Sequence, residues 1–158
     1  MPVADAFVKH PAIAFALTAC QIFIVSCAST QQTTTTTSQG NALPGTSWQL
    51  VRFEGGDDTV LTPDDRSKYT IEFDAKGGVA ARIDCNRGRG TWTSAGPSQV
   101  QFGPMAVTRA LCPPGSLHDQ IVKQWTNIRS YTMKDGRLFL ALMADGGIYE
   151  FEPLKAQN

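Results

Sequence analysis

The amino-acid sequence predicts a mainly β domain of the α+β class, built as a curled antiparallel sheet or small open barrel with one α-helix packed against it. Short segments in which apolar and polar residues alternate follow one another from Thr46 onward, separated by turns rich in Gly, Pro and Asp. Helical spacing of apolar residues is clear in one stretch, after Ser116. Because strands and helices do not alternate along the chain, a parallel sheet is not expected.

The first part of the domain is predicted to form strands. The segment 46–53 alternates regularly, which places Trp48 and Leu50 on one face and Val51 and Phe53 on the other. Further strands are predicted at 59–61, 69–74, 79–84, 91–93 and 98–102, with a hairpin at 75–78.

A helix is predicted from Leu117 to Ser130. Ser116 is a good N-cap, and Asp119 three residues later resembles the second half of a capping box. The apolar residues at helical spacing form one buried stripe, made of Leu117, Ile121, Trp125 and Ile128. After the helix, strands are predicted at 131–133, 138–143 and 148–152, with 138–143, the most apolar, at the centre of the sheet.

Length and charge set the general class. The 158 residues suffice for one domain with a real core. The formal net charge of zero gives no electrostatic reason to expect a nucleic-acid partner.

Residues 1–26 are predicted to be a lipoprotein signal peptide. Their apolar stretch is too short and too interrupted for a membrane span, which needs about 20 apolar residues. It closes on Ile-Val-Ser-Cys, which resembles the lipobox of bacterial lipoproteins, so lipidation is expected at Cys27. Cys20 follows a similar pattern, but cleavage there would leave the apolar residues 22–25 exposed in the mature chain. An ordinary secretory signal with accidental cysteines is the alternative.

The segment after the leader differs in composition from the domain. Residues 27–43 are rich in Thr, Ser and Gln and are predicted to be a disordered tether, because they have almost no apolar content to bury. Residues 44–154 are then the folded domain and residues 155–158 a short tail.

Two cysteines, Cys85 and Cys112, are the only ones after Cys27. The simplest interpretation joins them as a disulfide across the middle of the domain, as expected in an oxidising compartment. The alternative, a catalytic or metal-binding thiol, needs further ligands, and His118 is the only histidine after the leader. We therefore expect no metal site and no cofactor.

Ser116, His118 and Asp119 formally offer a Ser-His-Asp arrangement. Residues two apart at the start of a helix do not face each other, and Ser116 is better explained as a cap. No catalytic residue is expected here.

Four arginines surround the cysteines in sequence and are candidates for anion binding: Arg82, Arg87, Arg89 and Arg109. Guanidinium groups bind phosphate and carboxylate with paired hydrogen bonds, so lipid phosphate or a peptidoglycan carboxylate would fit. The alternative is a solvated rim whose charge is balanced by Asp84 and other acids.

Several motifs resemble a known family. They are Gly-Thr-Ser-Trp-Gln-Leu at 45–50, Asp-Cys-Asn-Arg-Gly-Arg-Gly at 84–90, Thr-Arg-Ala-Leu-Cys at 108–112 and the apolar ending that begins at Gly136. Together they resemble the META/HslJ family, a domain of unknown function in bacterial envelope lipoproteins, over about residues 43–153. The motif positions are Trp48, Asp84, Cys85, Asn86, Thr108 and Cys112, with Asp84 where the family usually has Gly. The resemblance implies an antiparallel β fold with one helix and no established catalytic activity.

The expected function is that of a non-enzymatic lipoprotein of the bacterial envelope, anchored in the inner or outer membrane with its domain in the periplasm. Such a domain would bind or support another envelope component. A β-barrel carrier of a small apolar ligand and an inhibitor of a secreted hydrolase are the other classes, and an enzyme is the least expected. An apolar cavity lined by Trp48, Phe73, Trp125 and Phe139 would favour the carrier, a filled core the scaffold, and a rigid exposed loop the inhibitor.

Overall fold

The computed structural model describes residues 43–154. The predicted signal peptide, both candidate lipidation cysteines, residues 27–42 of the predicted tether and the predicted tail lie outside the described residues. Leu43, which the prediction assigns to the tether, is fully buried and belongs to the hydrophobic core. The folded domain therefore includes Leu43, one residue earlier than predicted. No helix between residues 43 and 154 is long and apolar enough to cross a membrane.

Ten strands and one α-helix make up the described part of the chain. The strands are β1 (Thr46–Glu54), β2 (Val60–Leu61), β3 (Tyr69–Phe73), β4 (Gly78–Ile83), β5 (Asn86–Thr93), β6 (Gln101–Phe102), β7 (Ala106–Val107), β8 (Ile128–Lys134), β9 (Arg137–Leu142) and β10 (Ile148–Pro153). The helix is α1 (His118–Gln124), and short 3₁₀ turns occupy Arg66–Lys68 and Trp125–Asn127.

The sheet is antiparallel throughout and nearly closes on itself. Its order is β6-β5-β4-β3-β1-β10-β9-β8, and β2 and β7 pair with β1 and β5 beside this path. The two ends meet, because the Val100 N–H donates to the Arg129 carbonyl at 3.1 Å and the Tyr131 N–H donates to the Ser98 carbonyl at 2.9 Å. The predicted fold class, a curled antiparallel sheet approaching a barrel with one helix, is confirmed.

The first strand contains a β-bulge that the sequence does not reveal. The register with β10 shifts between Leu50 and Arg52, so Val51 is an extra residue. The shift turns Phe53 inward, and its ring lies 4.6 Å from that of Tyr149 between centroids. The prediction that Phe53 faces away from Trp48 and Leu50 is therefore wrong.

The predicted helix is too long at its C-terminal end. After Gln124 the chain tightens into the 3₁₀ turn, and Ile128 is extended, with φ −67° and ψ 130°. Strand β8 begins there and pairs with β9 as far as Lys134. The pairing of a second strand outweighs the helical pattern of the segment, as tertiary context often does.

The N-terminal end of the helix also differs from the predicted capping box. The N-cap position is Leu117 and not Ser116 as predicted, although Ser116 Oγ accepts a hydrogen bond from the His118 N–H at 3.2 Å. A capping box would also require the Asp119 carboxylate to accept a hydrogen bond from the Ser116 N–H. Instead, this carboxylate bonds the His118 imidazole, and the Ser116 N–H donates to the Pro113 carbonyl. The prediction of a capping box is wrong.

The most apolar strand, β9, lies next to the β8 end of the sheet and not at its centre. Short hairpins on both sides fix this place, whereas its apolar character comes from Leu138, Leu140 and Leu142, which face the core. Phe139 alternates to the other face and is outside the buried core cluster. It therefore does not line the interior cavity that the carrier alternative requires.

Aromatic rings fill the interior. Phe73 lies 5.4 Å from Trp92 and 6.0 Å from Phe102 between ring centroids, and Phe102 lies 4.5 Å from Trp125. The apolar space beneath α1 has a volume of only about 30 Å³. The core is thus filled, which is the arrangement that favours a scaffold over a carrier.

Candidate functional site

The turn between β4 and β5 explains one family motif position. Asp84 has a φ of +56°, in the left-handed region that favours glycine and that Asp tolerates better than most residues. This backbone requirement accounts for the Gly that the family usually carries there. The Asp84 N–H donates to the Lys68 carbonyl at 2.8 Å, and its carboxylate lies 4.0 Å from Lys68 Nζ. A hydrogen bond to Asp64 raises the pKa of Lys68 above its ordinary value.

The next residue in this turn forms the predicted disulfide. Cys85 and Cys112 are bonded, with a Sγ–Sγ distance of 2.02 Å and a Cα–Cα distance of 5.5 Å. The bond ties the segment just before α1 to the β4–β5 turn.

Asn86 completes this tie and is fully buried. Its amide nitrogen donates to the Ala110 carbonyl at 3.0 Å, and its Oδ1 accepts from the Ala110 N–H and from Thr108 Oγ1, both at 2.8 Å. Thr108 Oγ1 also accepts from the Arg87 N–H at 2.9 Å. The buried amide is thereby satisfied, and residues 108–112, called the 108–112 loop below, are held against the turn.

The family motif residues therefore have structural roles. Trp48 is also structural, because it is buried and its Nε1 donates to Thr46 Oγ1 at 2.7 Å. A functional site has to be sought beside the motif.

Three of the four candidate arginines meet on the outer face of the sheet. Arg82, Arg87 and Arg89 line a groove of about 590 Å³ across β3, β4 and β5, called the arginine groove below. Small residues, one leucine and one acid complete the lining, namely Ser67, Thr70, Ala80, Ala81, Gly88, Leu154 and Glu72. The side chains contribute three positive charges and one negative charge, from Glu72.

The strand register explains why these arginines come together. Arg82 of β4 stands directly opposite Arg87 of β5, and Ala80 stands opposite Arg89. The strand β5 carries its outward side chains at every second residue, so Arg87 and Arg89 share one face while Gly88 lies between them. The predicted strand 91–93 misses this, because the strand in fact begins at Asn86.

Glycines in β5 serve close packing on the inner side. A Cβ atom at Gly88 would lie 2.3 Å from Met105 Sδ, and one at Gly90 would lie 3.1 Å from the Pro104 carbonyl oxygen. The chain that crosses there forms β7, which pairs with Gly88 and Arg89. The backbone of Pro104 and Met105 thus passes close to the inner side of β5, opposite the arginine groove.

The groove arginines lack acidic partners among residues 43–154. Arg82 donates to the Ser67 and Asp84 carbonyls, at 3.2 and 3.4 Å, and Arg87 donates to the Asn86 carbonyl at 3.2 Å. None of Arg82, Arg87 and Arg89 forms an ion pair with a described carboxylate.

Three other arginines are neutralised, whereas the guanidinium of Arg129 in β8 bonds only the Thr126 and Ile128 carbonyls within residues 43–154. Arg52 Nε lies 2.7 Å from the largely buried Glu150, which also contacts Arg137. Arg66 lies 3.0 Å from Glu152. The arginine groove differs from these ion-paired sites in lacking a paired carboxylate among residues 43–154, and from Arg129 in bringing Arg82 and Arg87 together on opposed strand positions.

Arg109, the fourth candidate, lies elsewhere. It lines a pocket beside the 108–112 loop, together with Cys112, Ser116 and His118. The structure therefore divides the predicted anion-binding set into a group of three and one separate residue.

The Ser-His-Asp arrangement is not assembled. His118 Nδ1 contacts Asp119 Oδ1 at 2.9 Å, but Ser116 Oγ bonds only the His118 backbone N–H. The other ring nitrogen, Nε2, is buried and has no hydrogen-bond partner in the described part of the chain. Nor do residues 43–154 gather three His, Cys, Asp or Glu side chains that could hold a metal ion.

Comparison with solved structures shows the same fold in other proteins. A protein from Burkholderia xenovorans, solved by NMR, superposes with a TM-score of 0.62 at 22% identity, over 73% of this chain and 86% of that one. A crystal structure of a duf4847 family protein from Bacteroides vulgatus superposes with a TM-score of 0.54 at 18% identity, over 74% of this chain and 98% of that one. At these identities the likeness concerns the fold alone.

Comparison of the sequence identifies the family. No curated protein matches the chain. The family model of the META domain matches residues 41–155, which is most of the chain and includes the whole described sheet. The chain therefore belongs to the META domain family.

Proposed function

We propose that this chain is a lipid-anchored protein of the bacterial envelope whose META domain binds an anionic envelope component in the arginine groove. The observation that carries the proposal is the direct opposition of Arg82 and Arg87 on neighbouring strands, with no carboxylate of residues 43–154 paired to either. Like charges at opposed positions destabilise a sheet. A bound anion between them removes this repulsion.

The chemistry of the ligand follows from the spacing of the arginines. Opposed residues on paired strands have Cβ atoms about 5 Å apart, and Arg89 lies two residues from Arg87, or about 7 Å along β5. Guanidinium groups bind phosphate and carboxylate oxygens with paired hydrogen bonds. A ligand with two or more phosphate or carboxylate groups therefore fits best, whether it is a lipid headgroup or a soluble or cell-wall anion.

Removing two of the charges tests the groove. The variant Arg87→Gln/Arg89→Gln should bind anionic ligands at least about tenfold more weakly, because each charge-assisted hydrogen bond contributes about 1.5–3 kcal/mol. Three probes distinguish the sources of the anion: phosphatidylglycerol vesicles against phosphatidylcholine vesicles, inorganic pyrophosphate, and purified peptidoglycan.

The matched control is Lys123→Gln/Lys134→Gln, which removes the same charge at two exposed residues outside the groove. It should bind each probe as the unchanged protein does. Equal loss of binding in both variants would mean that net charge alone attracts the anions, and the proposal would fail.

The membrane anchor is proposed from the sequence pattern that ends at Cys27. The variant Cys27→Ala should shift the protein from the membrane fraction to the soluble fraction, because it removes the acylated residue, whereas Cys20→Ala should leave it in the membrane. Fractionation followed by mass spectrometry of the N-terminus gives the readout. Acylation at Cys20, or an unacylated native protein, contradicts this assignment.

The filled interior supports a binding surface over a carrier function. Pockets for small ligands have volumes of about 300–1,000 Å³, whereas the space beneath α1 has about 30 Å³, enough for about one water molecule. In the described part of the chain Ser116 Oγ bonds the His118 backbone N–H and not the His118 ring, which supports a non-catalytic function.

A further inference from the structure

The 108–112 loop presents an apolar side chain in an unusual way. Leu111 is 100% exposed, although it stands between two residues that are firmly held. The Ala110 N–H and carbonyl both bond the buried Asn86, and Cys112 is bonded to Cys85. The residues on both sides of the fully exposed Leu111, Ala110 and Cys112, are therefore fixed to the rest of the domain.

The backbone of the loop has one bonded side and one open side. The Thr108 N–H donates to the Arg87 carbonyl, which extends the pairing of β7 with β5, and the Ala110 N–H and carbonyl bond the side-chain amide of Asn86. Arg109 and Leu111 make no hydrogen bond with any residue in the range 43–154. This alternation is that of an edge strand whose outer N–H and carbonyl groups are free to pair with another chain.

The free backbone groups favour a protein over a lipid surface as the partner. Hydrocarbon cannot satisfy N–H and carbonyl groups, so a loop that inserted into a bilayer would leave them unpaired. A protein cleft can pair them as an added strand and can hold the alternate side chains in pockets.

We propose that the 108–112 loop is a substrate-like docking segment for a secreted endopeptidase with an apolar primary pocket. Leu111 fills the pocket, and the free backbone groups of Arg109 and Leu111 pair with the cleft. The loop is already held in shape, so binding loses less conformational entropy than it would for a flexible peptide. The domain then acts as an inhibitor, independently of any ligand in the arginine groove.

The bonds on both sides of Leu111 explain why the loop would inhibit the endopeptidase and would not simply be cleaved and released. Hydrolysis of the Leu111–Cys112 peptide bond adds one water and yields a Leu111 carboxylate and a Cys112 amine. The carboxylate end stays fastened through Ala110 and Asn86, and the amine end stays fastened through the disulfide to Cys85. Both new ends remain side by side, so the product leaves the cleft slowly and the bond can re-form.

The test uses the full chain with chymotrypsin, which accepts large apolar side chains, and with trypsin, which accepts basic ones. The unchanged protein should inhibit chymotrypsin, and Leu111→Ala should weaken inhibition by at least about 30-fold, as loss of a central anchor residue does. The control Met133→Ala removes another exposed apolar side chain and should inhibit normally. Leu111→Arg should transfer inhibition from chymotrypsin to trypsin.

Four results would overturn the proposal. The first two are rapid cleavage after Leu111 without inhibition and no effect on chymotrypsin. The other two are found in the Leu111→Ala variant: loss of vesicle binding, and loss of a self-association that the unchanged protein shows. The last two would assign Leu111 to a membrane or to a second copy of the chain. Normal inhibition by Arg87→Gln/Arg89→Gln separates this inference from the proposed anion binding.

Discussion

Replacing Trp125 by alanine should lower the free energy of unfolding by about 3–5 kcal/mol, the usual cost of removing a buried Trp side chain. The indole is 4% exposed, packs on Phe102 at 4.5 Å between ring centroids, and donates from Nε1 to the Gly103 carbonyl at 3.2 Å. Its loss opens a cavity at the junction of α1 and β8 and removes that hydrogen bond. Urea denaturation measures the change.

The matched control is Lys123→Ala, which alters an exposed residue of α1 two positions away. It should change the free energy of unfolding by less than about 0.5 kcal/mol. A Trp125→Ala protein as stable as this control would mean that Trp125 does not anchor the helix segment to the sheet.

Removing the disulfide should have the second large effect. The 27-residue separation of Cys85 and Cys112 corresponds to roughly 3.5 kcal/mol of stabilisation by the chain-entropy relation. The variant Cys85→Ala/Cys112→Ala should lose about this much in urea denaturation and should retain its β-sheet circular dichroism spectrum. Asn86 still fastens the 108–112 loop, so the fold survives.

Reduction of the unchanged protein provides the control. Its stability in reductant should match that of the double variant, and alkylation without reductant should label neither Cys85 nor Cys112. A double variant as stable as the oxidised protein, or free thiol at both positions, contradicts the structural role of the bond.

The hairpins follow from local chemistry and could therefore be predicted. Asp135 and Gly136 have φ values of 52° and 73°, and Gly77 has a φ of 87°. Asp and Gly accept these conformations best, so the turns can be inferred without knowledge of the rest of the fold. The disulfide could be predicted because the domain contains only two cysteines.

Features that depend on distant pairing could not be predicted in the same way. The bulge at Val51 exists only in the register between β1 and β10, which lie about 100 residues apart in sequence. The helix ends before Ile128 because β9 offers a strand partner there, although Leu117, Ile121, Trp125 and Ile128 still pack on or in the core as the helical stripe predicts.

The candidate sites could be predicted only in part from the sequence. The alternation Arg-Gly-Arg-Gly from Arg87 is a period-two signal that would have extended β5 and placed Arg87 and Arg89 on one face. The opposition of Arg82 and Arg87 also needs the turn at Asp84, whose left-handed backbone sets the register. The exposure of Leu111 has no sequence signal, because it depends on the bonds that Asn86 and Cys85 make to its neighbours.

The most direct test of the arginine groove is an NMR titration of the isotope-labelled protein with inorganic pyrophosphate, observing the arginine Nε–Hε signals. We expect the signals of Arg82, Arg87 and Arg89 to shift together and to saturate at one affinity, while that of Arg129, outside the groove, stays in place. Shifts spread evenly over all exposed arginines, or no saturable shift at Arg87 and Arg89, would contradict it.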